Sequence, residues 1–393
     1  MVLNALHRSL VNLSHVERRL EPFFRAPLDA VLRTPQAALI QFLKNLGRRN
    51  EGLGLAEERE RPDEPAAIQS IIDTMHEYMR RHYTPGTFER AGNTKTHGVV
   101  RGEVTIHDGL PENLRRGLFS APAAYPAWVR FSGPGPDSPT DINDVGFVSM
   151  TIKVMGVAGP KLMDDEQHTQ DLLCICTPTF VTPDCQANAT LQKWILADTP
   201  LWYFLDPRAT HLLDFWMQSL WNKTQHNPLG QYYYSCVPYL LGEGQAMQYA
   251  FYPKSTVVST IPGLPFGHPP DNYLRDNMVK TLATSDVDFD ILVQVQTDPF
   301  RMPIEDASVL WPESLSPRIP AASLHIPRQR FDSPAQRAFA AALSYNPWHS
   351  LPEHRPLGNQ GRTRLRLYGE LSRYRQQMNG TPHIEPTGAE VFD

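Results

Sequence analysis

Arg364 and Tyr368 stand four residues apart in the polar, arginine-rich stretch Arg364-Leu365-Arg366-Leu367-Tyr368-Gly369-Glu370-Leu371-Ser372-Arg373-Tyr374-Arg375. In a helix, that spacing sets guanidinium and phenol on one face. A fixed cation beside a phenol favours the phenolate, lowering a pKa that is ordinarily about 10. A phenolate so held can serve as an axial ligand to ferric haem. Arg375 lies two turns beyond Tyr368 on roughly the same face, where it could meet a haem propionate. For this spacing alone, a solvated basic helix whose tyrosines pack on the body is the competing reading.

Such a helix needs a large body to hold it. The chain has 393 residues, 41% hydrophobic and 20% charged, the balance of a globular protein. Its 36 prolines against 24 glycines point to long ordered connections rather than a helical bundle. No apolar run is long enough to span a membrane, and no apolar core precedes a small-residue cleavage site near the N-terminus. Cys174, Cys176, Cys185 and Cys236 lack paired zinc-ligand spacing, so reduced thiols and a cytoplasmic setting are expected. Nothing resembles a phosphate loop, an HExxH or GxSxG motif, or a basic stripe interleaved with aromatics, so nucleic acid is not an expected partner.

Charge is uneven: residues 1–50 carry a balance of +5, leaving −10 on the remainder. With Leu28, Val31, Leu32, Leu39 and Phe42 among its apolar positions, this segment could lie on an anionic membrane, or pack on its own domain or a second subunit. A homo-oligomer is expected. Residues 1–50 read as two or three short helices broken by Pro22, Pro27 and Pro35, and 51–65 as a charged linker. A domain over 66–393 follows the 1–65 extension. It opens with a helix over 66–82, then strands near 97–106, 128–132, 147–157, 172–180, 232–237, 246–253 and 287–296. Helices interrupt them near 188–197 and 209–222, a Pro-rich wrapping segment fills 296–329, and helices close the chain from 333 to about 378. The fold class is α+β, with an antiparallel β-barrel of about eight strands rather than a doubly wound sheet.

Four segments, taken together and in order, resemble the haem-binding catalase superfamily. They are Glu89-Arg90-Ala91-Gly92-Asn93-Thr94-Lys95-Thr96-His97-Gly98, Val129-Arg130-Phe131-Ser132, Cys176-Thr177-Pro178-Thr179-Phe180, and the proximal stretch preceded by Tyr345-Asn346-Pro347-Trp348. Asp298-Pro299-Phe300 and Trp311-Pro312-Glu313 fit the family's wrapping segment. The resemblance spans about residues 80–380 and is nearest the smaller, catalase-related branch without a flavodoxin-like domain. It implies haem b inside the barrel, with Tyr368 as ligand to ferric iron and Arg364 holding it ionised. Arg90, Arg130 and Arg375 fall on the three propionate-binding arginines, and three arginines from distant segments could neutralise two buried carboxylates. Ser132 falls on a distal-pocket serine. Lys95 lies outside this set, and Lys95→Ala is expected to leave haem binding intact.

Two positions depart from the family. Its distal histidine is replaced by Asn93, and its distal asparagine by Cys176. An amide can hydrogen-bond a ligand but has no useful pKa for shuttling a proton, so rapid hydrogen peroxide dismutation should be impaired. His97 reads as barrel wall, with a substitute acid–base as the alternative; Cys176 reads as a small hydrophobe, a redox thiol or a second haem ligand. The resulting expectation is a haem enzyme that cleaves the O–O bond of an organic, fatty-acid-like hydroperoxide homolytically, as allene oxide synthase-like relatives do, followed by rearrangement, dehydration or lyase cleavage. A weak catalase or peroxidase acting on hydrogen peroxide, or a non-catalytic haem protein, is the alternative.

Overall fold

The computed structural model describes residues 2–392. Its centre is a ring of eight antiparallel strands: β1 (Thr96–Ile106), β2 (Ala123–Ser132), β3 (Ser149–Met155), β4 (Thr169–Ile175), β5 (Tyr233–Tyr234), β7 (Ala246–Pro253), β8 (Val287–Val295) and β9 (Ile319–Ile326). Pairing runs β1-β2-β3-β4-β5-β7-β8-β9, and β9 returns to β1, which closes the barrel. A short β6 (Tyr239–Leu240) continues the line of β5 along β7. The chain between β5 and β6 bulges at Cys236, whose φ is 59°.

Residues 296–329, expected as a wrapping segment alone, contain a strand that its composition hides. β9 reads Ile-Pro-Ala-Ala-Ser-Leu-His-Ile, a proline and small residues in place of the usual β-branched alternation. Pro320 is tolerated because the β8–β9 register shifts there, pairing Ile291 with Ala322 and Leu292 with Pro320. β9 thereby supplies the eighth strand, and the wrapping segment shortens to about 296–318.

Alternation fills the barrel. Val129, Phe131, Met150, Ile152, Tyr233, Phe251, Phe289 and Ile291 belong to one buried apolar cluster. An eight-stranded barrel leaves just enough interior for side chains to fill. The expectation of a haem inside the barrel is therefore corrected: any such group must lie against the outer wall.

Helices supply the facing layer. α3 (Glu64–His82) starts with proline in its first turn and ends on Arg80, Arg81 and His82, matching the helix dipole. α4 (Cys185–Leu196) is capped by Asp184, which accepts from the Ala187 N–H at 2.8 Å. α5 (Leu201–Leu205), α6 (Leu212–Ser219), α7 (Tyr273–Leu282) and α8 (Pro334–Ala342) follow, and α9 (Gly358–Asn379) is the last. At the N-terminus stand α1 (Val2–Leu20) and α2 (Arg25–Gly47). The prolines expected to break this segment do so only once. Pro22 sits in a 3-10 turn between the helices, Pro27 in the first turn of α2, and Pro35 lies inside α2 on its exposed side. The hydrogen bond lost at Pro35 is therefore lost toward water, which can replace it. Among the described residues, no helix is long and apolar enough to cross a membrane.

Candidate functional site

The site is built on α9. Its entry requires glycine: Gly358 has φ +74°, and a Cβ there would meet the Ile304 carbonyl oxygen at 2.2 Å. One turn on, Arg362 pairs with Glu64 at 2.7 Å, Glu58 at 2.8 Å and Glu305 at 3.0 Å. On a second face, Leu367 and Leu371 pack with Ile68, Ile71, Ile72 and Met79 of α3. These contacts fix the helix's rotation, so that Arg364, Leu367, Tyr368, Leu371, Ser372 and Arg375 line one cavity of about 330 Å³.

The barrel supplies the opposite wall. Register places Arg130, Thr151 and Leu173 in one row across β2, β3 and β4, and Ser132, Ser149 and Ile175 in the next. These side chains alternate with the barrel's core residues and so point outward. All but Ser132 line the cavity, together with Arg90, Asn93, Phe180, Tyr345 and residues of α4. The structure thus brings Arg90, Asn93, Arg130, Arg364, Tyr368 and Arg375 together.

Ser132 and Cys176 lie elsewhere. Ser132 Oγ accepts from Arg130 Nη1 at 3.0 Å and orients that arginine instead of facing the cavity. Cys176 Sγ accepts from the Val148 N–H at 3.1 Å, inside the apolar cluster. It is outside the cavity lining, and burial pushes its thiol up to about 11. His97 is also outside the lining, in the register shift between Thr96 and Gly98. Its ring is buried with neither nitrogen partnered, and burial, then Lys95, holds its pKa well below the ordinary value. Lys95 is no inert position: it is buried, paired with Asp141 at 2.7 Å, and donates to the Asp271 carbonyl at 2.9 Å. Removing it would strand a buried carboxylate, so the exposed Arg366 is the better reference for mutagenesis.

Asn93 has φ 51°, a conformation that asparagine adopts more readily than most residues. Its carbonyl accepts from Arg130 Nη2 at 2.6 Å, and its side-chain Oδ1 accepts from Ser149 Oγ at 2.6 Å. With Oδ1 engaged, the amide offers Nδ2–H groups to the cavity. Among the described residues, no histidine, aspartate or glutamate lines the cavity.

The electrostatics define what would fit. Arg90, Arg130 and Arg375 donate to backbone carbonyls and hydroxyls, and none makes an ion pair among the described residues. Burial, and then the neighbouring arginines, drive Arg130 well below its ordinary pKa; burial and Arg90 bring Arg375 down to about 9. A site that gathers three buried guanidinium groups without a carboxylate is incomplete without an anion. Tyr345 Oη is also buried and unpartnered there, its pKa pushed up to about 12 by burial. At the other end, Arg364 Nη1 has no partner. Burial opposes its charge, but Tyr368 first, then Tyr239, outweigh burial and raise its pKa. The residues therefore fit an anionic group: Arg90, Arg130 and Arg375 would face its negative edge, and Tyr368 and Arg364 stand in the same cavity.

Ser149 and Thr151 were missed from the sequence, and Tyr345 appears there only as part of the segment before the proximal stretch. The two β3 residues are short hydroxyls within an apolar run, distinguishable only by their outward parity. A buried charge cluster stands behind this wall: Lys153 pairs with Glu166 and Asp171, and His349 Nδ1 lies 2.9 Å from Asp171. The Lys153 ammonium lies 5.4 Å from the centre of the Tyr345 ring.

A closed eight-stranded antiparallel barrel with helices packed against its outer wall is a catalase-like fold. Solved structures share it. A fungal catalase superposes with a TM-score of 0.58 at 16% identity, over 82% of this chain and 65% of that one. Catalase A from Saccharomyces cerevisiae gives 0.58 at 15%, over 82% and 68%, and a bacterial catalase 0.51 at 16%, over 88% and 70%. The chain thus spans about two thirds of the length of these catalases. No protein-family profile and no curated protein sequence matches the chain.

Proposed function

We propose that the cavity binds ferric haem b with Tyr368 as the protein ligand, and that the protein transforms an organic hydroperoxide, a fatty-acid hydroperoxide foremost. When bound, the haem would supply an iron centre able to cleave an O–O bond homolytically. The reading aligns the chain with the allene oxide synthase-like branch rather than with peroxide-dismutating catalases.

The observation that carries it is the cavity's lack of any carboxylate or imidazole beside Asn93. Dismutation of hydrogen peroxide needs a group that takes a proton and returns it, and amide, hydroxyl and guanidinium groups do not do so near neutral pH. Asn93 Nδ2 can instead donate to a peroxide oxygen and orient it, while Ser149 holds the amide in place. Arg364 is buried beside Tyr368 and keeps its guanidinium charged next to the proposed ligand. Leu173, Ile175, Phe180, Val181, Leu191 and Ile195 give the same cavity an apolar side where a hydrocarbon chain could lie and water is excluded.

The test is an absorption spectrum of the purified, haem-loaded protein before and after adding a polyunsaturated fatty-acid hydroperoxide without a reductant. A high-spin ferric spectrum with loss of the conjugated-diene absorbance supports the reading. Faster consumption of hydrogen peroxide than of the lipid hydroperoxide would point to a catalase or peroxidase. Haem that turns over neither would leave a ligand-binding protein.

A further inference from the structure

The N-terminal helices are amphipathic the wrong way round for a lone protein. Every ionisable side chain of α2 is directed toward the body or a neighbour on the helix: Arg25 pairs with Glu21 and Asp29, Arg33 with Asp29, and Lys44 with Asp214 of α6. Only Ala37 and Ile40 represent its apolar residues in the buried contact with Met217 and Leu220. The remaining apolar residues face outward. Leu28, Leu32, Pro35, Leu39, Phe42 and Leu46 are all exposed and recur at alternating spacings of four and three. That 3.5-residue period is the seam of a helix that packs knobs-into-holes on another helix. In α1, Leu6, Leu13, Val16 and Leu20 follow the same period and are exposed too.

The size matters. Thirteen large apolar side chains of residues 4–46 are exposed, between 37% and 70% each. Together they present on the order of 1,000 Å² per chain, comparable to the roughly 800 Å² that each partner contributes to a standard protein interface. Scattered surface leucines are ordinary, but exposed apolar residues recurring at helical spacing along two consecutive helices are not.

The choice of partner follows from charge. A helix that lies on an anionic bilayer keeps lysines and arginines along its polar side, in reach of phosphates. Here those side chains are engaged within the chain, and in residues 2–50 only Arg8 and Arg49 are exposed cations, one toward each end. The outer face of α2 carries no charge, so two copies laid against one another bring no like charges together. An isologous contact requires that self-complementarity. We propose that the α1–α2 face is the interface of a homodimer, with the α2 seam of one copy packed on the α2 seam of the second. The inference does not depend on what the cavity binds.

Sedimentation equilibrium of the full chain tests it. The wild-type protein is expected at twice the chain mass, or at a multiple built from that dimer. The double variant Leu39→Glu, Phe42→Glu is expected to raise the dissociation constant at least about 100-fold, since each buried charge costs several kcal/mol. Both residues face outward in the single chain, so its circular dichroism should not change. Should the charges cause aggregation, Leu39→Gln read the same way keeps the comparison, and the wild-type mass stands apart from any variant. A monomeric wild type at micromolar concentration, or an assembly that both variants leave intact, would overturn the proposal. A wild-type monomer that cosediments with phosphatidylglycerol vesicles would overturn it in favour of a lipid surface.

Discussion

Ser149 Oγ donates to Asn93 Oδ1 across 2.6 Å, which fixes the orientation of the only amide from the β1 approach that lines the cavity. The pair converts a hydrogen-bonding side chain into a donor of fixed direction and leaves no acceptor for a proton. The consequence is testable by restoring one. Asn93→His introduces a titratable ring at a backbone position that histidine also tolerates. Hydrogen peroxide turnover by the haem-loaded variant is expected to rise about 10²-fold or more, the usual contribution of a positioned acid–base group. Oxygen evolution measures it, and no rise with haem intact would count against Asn93 as the distal residue.

Tyr368→Phe should remove the proposed iron ligand without disturbing the packing of α9 on α3, because the ring is retained. Reconstituted protein is expected to lose the high-spin ferric spectrum while its melting temperature without haem stays unchanged. Arg366→Ala, on the exposed side of the same helix, should retain the spectrum.

Arg130→Met tests the anionic edge. Leaving one carboxylate of the bound group without its guanidinium should weaken haem retention by about 10²-fold or more, in line with the cost of a buried unpaired charge. The cavity without haem should respond in the opposite sense, since the variant relieves repulsion among Arg90, Arg130 and Arg375. Thermal melts with and without haem read both effects.

The charge cluster behind β3 gives a pH dependence. Burial and Lys153 lower the His349 pKa, but hydrogen bonds to Asp165 and Asp171 outweigh them and push it up to about 9. A group raised from about 6.5 contributes its full stability below that unfolded value and loses it as pH rises through the folded value. Melting temperature should therefore fall between about pH 6.5 and 9. His349→Gln should flatten that part of the profile. An unchanged slope would assign the alkaline loss to another group.

Much of this arrangement can be read from residue spacing. Arg364, Tyr368 and Arg375 share a helix face because their separations match its turns, whereas Arg90 and Arg130 are reached only through the family resemblance of their segments. Where reading stopped, the reason was usually parity or composition. Ser149 and Thr151 look like interruptions in an apolar run because β3 is buried on both faces, one against the core and one against the cavity. β9 looks like loop because Pro320 and its alanines lack strand character, and only the pairing with β1 and β8 reveals it. The barrel's interior looked available for a cofactor because the number of strands, not the fullness of the core, is what a sequence displays. In α2, the outward apolar stripe was visible, but its inward salt bridges depend on partners as distant as Asp214.

Arg362 ties α9 to Glu58 and Glu64, about 300 residues earlier, and to Glu305 in the wrapping segment. The helix that carries Tyr368 is thus synthesised after every barrel strand and after all three of its anchors. During synthesis the barrel can close while its outer wall still lacks a facing layer, with Arg130 and its neighbours open to water. The cavity comes into being only when α9 docks against a barrel and an α3 that were made before it. A ligand held between α9 and the barrel would fasten that closure, so its supply would govern how much finished protein survives as well as how much is active.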